Sequence, residues 1–337
     1  MVAESPSYII LGELRREYLI TPAGNVLLDQ PGGNLLYAAG GHSLWGDSPG
    51  LLARVGEDYP RSWLDKFRQH GLNTDGVRIL PESHDLRSFV AYTDLTTRFT
   101  DDPLGHFARL EMSFPKSLLG YQDPNLAPDD RANRTPLSIR KFDLPEKYRY
   151  ARAAHLCPLD YLTHNLMPAV LRELGLSVIT LDPGSKYMRA QAWADVLALL
   201  IGLTALLVSE EDIRSLFAGR SDDLWEMAEA LTPYGCPLIV IKRGAQGQLL
   251  YNGESRSKYL IPAYPARVSD PTGAGDSFCG GFLAGYKSTF DPLQAVLYGN
   301  VSASLTIEGS GAFYPLETLP GLHQARLEIL PESVRRA

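Results

Sequence analysis

The stretch Ser-Asp-Pro-Thr-Gly-Ala-Gly-Asp-Ser-Phe, residues 269 to 278, sets two carboxylates around a glycine-rich turn that runs into the apolar CGGFLAGY. Small residues from Thr272 to Gly275 leave consecutive backbone N–H groups unobstructed, and a helix starting there adds the positive end of its dipole. Such a nest holds an anion. Asp276 is then either an ordinary acid in a first helical turn or a base placed beside that anion. In the second case the chemistry is phosphoryl transfer, which needs positioning, charge neutralisation and a proton acceptor in line with the phosphorus. The turn is not a Walker A loop, because G-x-x-x-x-G-K-[ST] is absent, nor is it G-x-G-x-x-G after a first strand.

The elements that must position this turn are strands alternating with helices. ARAAHLCPL (151–159), LSVITLDPG (176–184), TALLVS (204–209) and CPLIVIKRGAQG (236–247) read as buried strands. Between them HNLMPAVLRELG, AQAWADVLALL and DLWEMAEALTPYG carry apolar residues at helical spacing. That alternation predicts a parallel sheet covered on both faces, with ligands beyond the C-terminal strand ends. LDPG, LVSEED, IKRGAQG and DPTGAGD all fall at such ends. Upstream, SYIILGEL, EYLITPAG, NVLLDQPGG, LLARVG, VRIL and RSFVAYTD are strand-like, and residues 59–72 form a helix stopped by Gly71. Residues 95–150, rich in Pro, Asp and Asn, predict a long loop-rich insertion: a lid, an interface or a surface excursion.

Composition narrows the class. The 337 residues are 45% hydrophobic, enough for a sizeable core, and carry a formal net charge of −7, which speaks against a general nucleic-acid or anionic-membrane surface. The three cysteines are far apart and suit a reducing cytosol. The N-terminus lacks the basic and apolar regions of a signal peptide, so the expectation is a soluble, cytoplasmic protein. Seven scattered histidines show no metal-hydrolase spacing, and GGHSLWG lacks the strand-elbow-helix context of a serine hydrolase.

At full length D-P-T-G-A-G-D-S-F-x-G-G-F resembles the second signature of the ribokinase-like (PfkB) family of carbohydrate and nucleoside kinases. GELRREYLI, QPGGNLLYAAGG, LLARVGED, LDPG, LLVSEED, VIKRGAQG and NVSASLTIEGSGA follow in that family's order. The resemblance implies one α/β domain over residues 1–337, with a ribokinase-like three-layer α/β/α core, a mostly parallel central sheet and a small β lid from about 13–30 and 86–94. It implies transfer of the γ-phosphoryl of ATP, with Mg²⁺, to a hydroxyl of a sugar or nucleoside-like acceptor. Asp276 corresponds to the base, and Gly273, Ala274 and Gly275 to the anion hole. Asp270 and Thr272 match positions that often serve a monovalent cation such as K⁺; a turn-forming Asp before proline is the alternative for Asp270. Lys242, Gly244 and Gly247 match the nucleotide side, where a solvated strand-end lysine is the alternative for Lys242. Asn300 lies where the family often faces adenine, or else is a polar residue on a helix flank. Lids of this family often pair between subunits, which leaves a homodimer open.

Three departures from the family pattern matter. Ser209-Glu210-Glu211-Asp212 stands where Asn-x-x-Glu would support Mg²⁺ through water, so Asp212, with Glu211 beside it, becomes the expected metal-side acid. An acidic first helical turn is the other reading. On the acceptor side, with Gly32, Gly33 and Asn34, Glu17 replaces an Asp and Tyr37 an Asn. A larger, more aromatic acceptor is expected, or an anionic one should Arg15 and Arg16 point inward rather than lie exposed. A non-catalytic nucleotide- or sugar-binding homologue is the rival reading.

Overall fold

The computed structural model describes residues 5–46, 48–126 and 128–337. Strand β1 (Tyr8–Leu11) is followed by β2 (Arg15–Ile20), β3 (Val26–Gly32) and helix α1 (Asn34–Ser43). Then come β4 (Gly50–Val55), α2 (Arg61–Gln69), β5 (Asn73–Ile79) and β6 (Arg87–Tyr92). The region expected as an insertion holds β7 (Arg98–Phe99), α3 (Pro103–Arg109) and several 3-10 turns. After it run β8 (Ala153–Leu156), α4 (Tyr161–Glu173), β9 (Val178–Leu181), α5 (Trp193–Leu199), β10 (Ala205–Ser209) and α6 (Glu210–Leu216). Helix α7 (Leu224–Leu231), β11 (Leu238–Lys242), β12 (Gln248–Asn252) and β13 (Ser257–Ile261) precede α8 (Ala274–Thr289), α9 (Pro292–Thr306), α10 (Leu322–Ile329) and β14 (Arg335–Arg336).

Ten strands form one sheet in the order β14-β13-β12-β11-β10-β9-β8-β1-β4-β5. From β5 to β11 every pairing is parallel, as the alternation of strand and helix demands. The antiparallel additions β12, β13 and β14 are absent from the sequence reading, which ended its strands at Gly247. Central strands are apolar throughout because both their faces are covered. Ile9 and Leu11 of β1 enter the core beneath α4 to α7, whereas Ile10 enters the core beneath α1 and α2. Leu207 and Val240 face α8 and α9. The result is the three-layer α/β/α arrangement. Glycines in CGGFLAGY let the helices of one layer touch: a Cβ on Gly280 would run into Ala38 O of α1, and one on Gly281 into Ser302 of α9.

A second sheet, in the order β3-β2-β6-β7, stands apart from the first. One of its faces buries Tyr18, Ile20, Phe89 and Ala91 beneath Phe107 of α3 and Leu118. The 95–150 region is therefore no mere surface excursion. It covers the small sheet at one end, and at the other it sends Tyr148 beneath the large sheet's edge, where the hydroxyl accepts from Gly76 N–H at 3.2 Å. Asp143 from the same region meets Arg54 of β4 in a buried ion pair at 3.1 Å. No helix among the described residues is long and apolar enough to cross a membrane.

Candidate active site

Helix α8 begins at the glycine turn with no side chain capping it. Gly273 adopts a left-handed conformation (φ 74°), which glycine takes without strain, and a Cβ there would strike the Tyr37 ring. Ala274 N–H donates to Pro271 O at 3.3 Å. The N–H groups of Gly273, Gly275 and Asp276 find no acceptor among the described residues. Of the turn expected as the anion hole, Ala274 N–H is thus engaged within the fold, while the other three N–H groups stay open. A bare helix N-terminus carrying those donors attracts an oxyanion.

Asp276 sits half-buried in the first turn. Burial pushes its carboxyl up to about 7, repulsion from Asp182 and Glu17 adds to the rise, and Lys242 and Arg98 oppose it. Lys242, at the end of β11, lies over the turn: its Nζ is 3.6 Å from where a Gly275 Cβ would be. The ammonium is held from below by the Asp182 carboxylate, at the end of β9, and by Cys279 Sγ at 3.4 Å. Burial works against the charge on Lys242, but Asp182 outweighs it and keeps the ammonium protonated well above the usual lysine range. Burial likewise pushes the Asp182 carboxyl up. Direct contact with the ammonium makes the ion pair the state we assign. Lys242 is thus no solvated strand-end residue: its side chain is 13% exposed.

On the other side of the turn, the glycine pair makes room for Glu17. A Cβ on Gly32 would fall onto the Glu17 carboxylate, which accepts from Gly33 N–H at 2.7 Å and from Tyr37 O–H at 2.9 Å. The β2–β3 register shifts between Glu17 and Leu19, a bulge of the kind that re-aims a side chain. Burial pushes Glu17 up to about 7, against those two hydrogen bonds. Tyr37, expected on the acceptor side, holds Glu17 through its hydroxyl and buttresses Gly273 with its ring. Asn34 is also structural, accepting from Glu13 N–H at 2.8 Å and donating to Pro158 O at 2.7 Å. Neither Arg15 nor Arg16 is loose, since Arg15 pairs with Glu13 and Arg16 with Asp29 in a two-pronged contact at 2.8 Å.

The nucleotide-side expectations divide. Gly244 and Gly247 both take positive φ in the tight turn between β11 and β12, closed by Arg243 N–H to Gly247 O at 2.9 Å. Arg243 is tied to Glu210 at 3.0 Å, so the acidic start of α6 steadies this turn. Asn300, expected on the adenine side, is held within the fold. It is 2% exposed, and its amide is consumed by Tyr264 N–H, Gln248 Oε1 and Pro262 O at 2.8 to 2.9 Å.

The acids expected on the metal side are differently placed. Ser209 caps α6: its Oγ accepts from Asp212 N–H at 3.0 Å and donates to the Asp212 carboxylate at 2.5 Å. Glu211 is exposed. Among the described residues no three His, Cys, Asp or Glu side chains converge as a metal cage. Asp270 is buried, accepts from Thr272 N–H at 3.0 Å through one oxygen, and leaves Oδ2 with no hydrogen-bond partner among the described residues. Thr272 Oγ1 reaches the Tyr92 hydroxyl at 3.4 Å, linking the turn to the small sheet. Sequence reasoning missed Asp182 and Arg98. The Asp-Pro at a strand end was a usable signal for Asp182; nothing local marked Arg98.

The chain is similar to known kinases in sequence and in fold. Residues 178–319 match the family profile described as pfkB family carbohydrate kinase. The chain is 26% identical over 281 residues to a cytidine kinase of Thermococcus kodakarensis, covering 83% of this chain and 88% of that one. It is 24% identical over 352 residues to the probable chloroplastic fructokinase-6 of Arabidopsis thaliana, covering 96% and 83%. A putative ribokinase II of E. coli, solved in complex with ATP and Mg²⁺, superposes with a TM-score of 0.69 at 16% identity over 96% of this chain and 99% of that one.

Proposed function

We propose, from the premise that the chain belongs to the ribokinase-like PfkB family of carbohydrate kinases, that it moves the γ-phosphoryl of ATP to a hydroxyl of a sugar or nucleoside-like acceptor. One observation carries the reading: a bare helix N-terminus with Lys242 over it and Asp276, pushed up to about 7, in its first turn. A base with a pKa near the working pH combines ionisation with useful proton affinity. The acceptor O–H gives its proton to Asp276 as its oxygen bonds to the γ-phosphorus. The bond from that phosphorus to the β–γ bridging oxygen breaks, and ADP leaves. Developing charge falls on the N–H groups of Gly273, Gly275 and Asp276 and on the Lys242 ammonium. The small sheet acts as the lid over the acceptor, excluding water.

The residues fit Mg²⁺ as an ion shared with phosphates and water rather than caged by protein. Asp212 and Asp182 would hold it through water, and it would supply charge neutralisation to the phosphate oxygens. The unpartnered Asp270 Oδ2 suits a monovalent cation beneath the turn.

The test is a coupled ADP assay across sugars and nucleosides with Mg·ATP, run for the wild type and Asp276→Asn. Acceptor-dependent ADP release that falls by about 10²- to 10⁴-fold in the variant is expected. Absence of such release across a broad panel would leave the binding-homologue reading standing and this one refuted.

A further inference from the structure

The face of the small sheet over the glycine turn carries a guanidinium that the reaction described so far does not use. Arg98 of β7 lies directly opposite Tyr92 of β6 in the antiparallel pair, so their side chains share a face. Tyr92 is the residue that meets Thr272 of the turn. The next pair along, Ala91 and Phe99, points the other way: Ala91 lies in the core beneath α3, and the Phe99 ring is 5.1 Å from His106. Alternation along the strand thus places Arg98 on the side of Asp276, and its charge is felt there and at Tyr92. Its neighbours on the sheet are committed, Arg15 to Glu13, Arg16 to Asp29 and Arg87 to Asp85. The exposed Arg98 side chain has no ion pair or hydrogen bond among the described residues.

We propose that Arg98 contacts the phosphoryl group in transfer, reaching it from the small sheet while Lys242 flanks it from the large one. The inference rests on the phosphotransferase reading. Its logic is charge: Asp276, Asp182, Glu17 and Asp270 crowd the site, and a bound polyphosphate adds more negative charge to it. A planar, always-ionised guanidinium suits phosphate oxygens, and mounted on a lid strand it engages only when the lid is over the turn.

The experiment compares binding of Mg·ADP alone with Mg·ADP plus aluminium fluoride, a mimic of the transferring phosphoryl, by calorimetry on the full chain. Wild type, Arg98→Gln and Arg98→Lys are measured. The fluoride should tighten wild-type binding, and Arg98→Gln should lose roughly tenfold to hundredfold of that gain, the worth of a charge-assisted hydrogen bond. Mg·ADP binding should stay within about twofold, and lysine should restore part of the gain. Steady-state kcat should fall with the acceptor KM little changed. A full fluoride gain in Arg98→Gln overturns the proposal, as does a rise in acceptor KM alone, which would assign Arg98 to an anionic acceptor. Because the fluoride complex needs no turnover, an Arg98-dependent gain without any acceptor-dependent ADP release would sink the kinase reading and leave this contact standing.

Discussion

Asp182→Asn should move the acid limb of the pH–rate profile to lower pH. With Asp276 as the proposed base, kcat/KM should fall as the pH falls through its folded-state pKa, about 7 in the wild type. The groups facing it are Asp182, Lys242, Glu17 and Arg98, after burial the causes of its shift. Asparagine at 182 removes a like charge and leaves the Lys242 ammonium unneutralised, and both changes favour the carboxylate. At an effective dielectric of about 20, charges roughly 8 Å apart interact by about 2 kcal/mol, which is roughly 1.5 pK units. Burial is the largest cause and is untouched, so the limb should settle between about 5 and 6. Lys242→Met behaves differently. A buried Asp182 deprived of its partner takes up a proton, so two opposing charges vanish together and the limb stays put or rises. The plateau rate drops instead, by about 10²-fold, as a cation over the developing charge is lost. The assay is kcat/KM for the acceptor between about pH 5 and 9, with thermal melts at each pH to separate unfolding from titration. An acid limb in Asp182→Asn at or above that of the wild type would refute the electrostatic coupling.

Gly273→Ala should cost about 1–2 kcal/mol in left-handed strain, and its methyl must displace the Tyr37 ring. We expect a Tm lower by several degrees together with a large loss of kcat; an unchanged Tm would show that the turn relaxes freely. Replacing K⁺ by a bulky organic cation should lower wild-type activity, while Asp270→Asn, lacking the orphaned carboxylate oxygen, should respond little to either salt. Equal K⁺ responses in the two proteins would remove the cation from beneath the turn.

Much of the large sheet was legible because buried parallel strands write themselves as apolar runs between turn residues. YIIL, VITL, ALLVS and LIVIK needed no partner to be read. The hairpin of β12 and β13 was not, since QLLYN and SKYLI mix polar and apolar residues and follow two glycines that looked terminal. The turn from Thr272 to Asp276 was legible in composition but not in hydrogen bonding, since nothing local shows that Ala274 N–H meets Pro271 O. Asn300 and Asn34 share one lesson. Each is a polar residue at a suggestive position whose amide is engaged within the fold, by partners such as Gln248 or Pro158 that lie far away in sequence. Ser209-x-x-Asp212 alone could have been read locally, as a helix cap. Arg98 lay beyond reach because its meaning comes only from standing opposite Tyr92.

The cover that α3 and Leu118 lay over the small sheet has a kinetic consequence. An exposed apolar sheet face is ordinarily satisfied by a second chain, which makes the motion of a lid obey mass action between subunits. Here Phe107 and Leu118 occupy the outer face of Tyr18, Ile20 and Phe89 from within the same chain. That face therefore needs no second chain to cover it. If the small sheet is the lid, specific activity should stay constant as the protein is diluted, and a loss on dilution would point to a second chain.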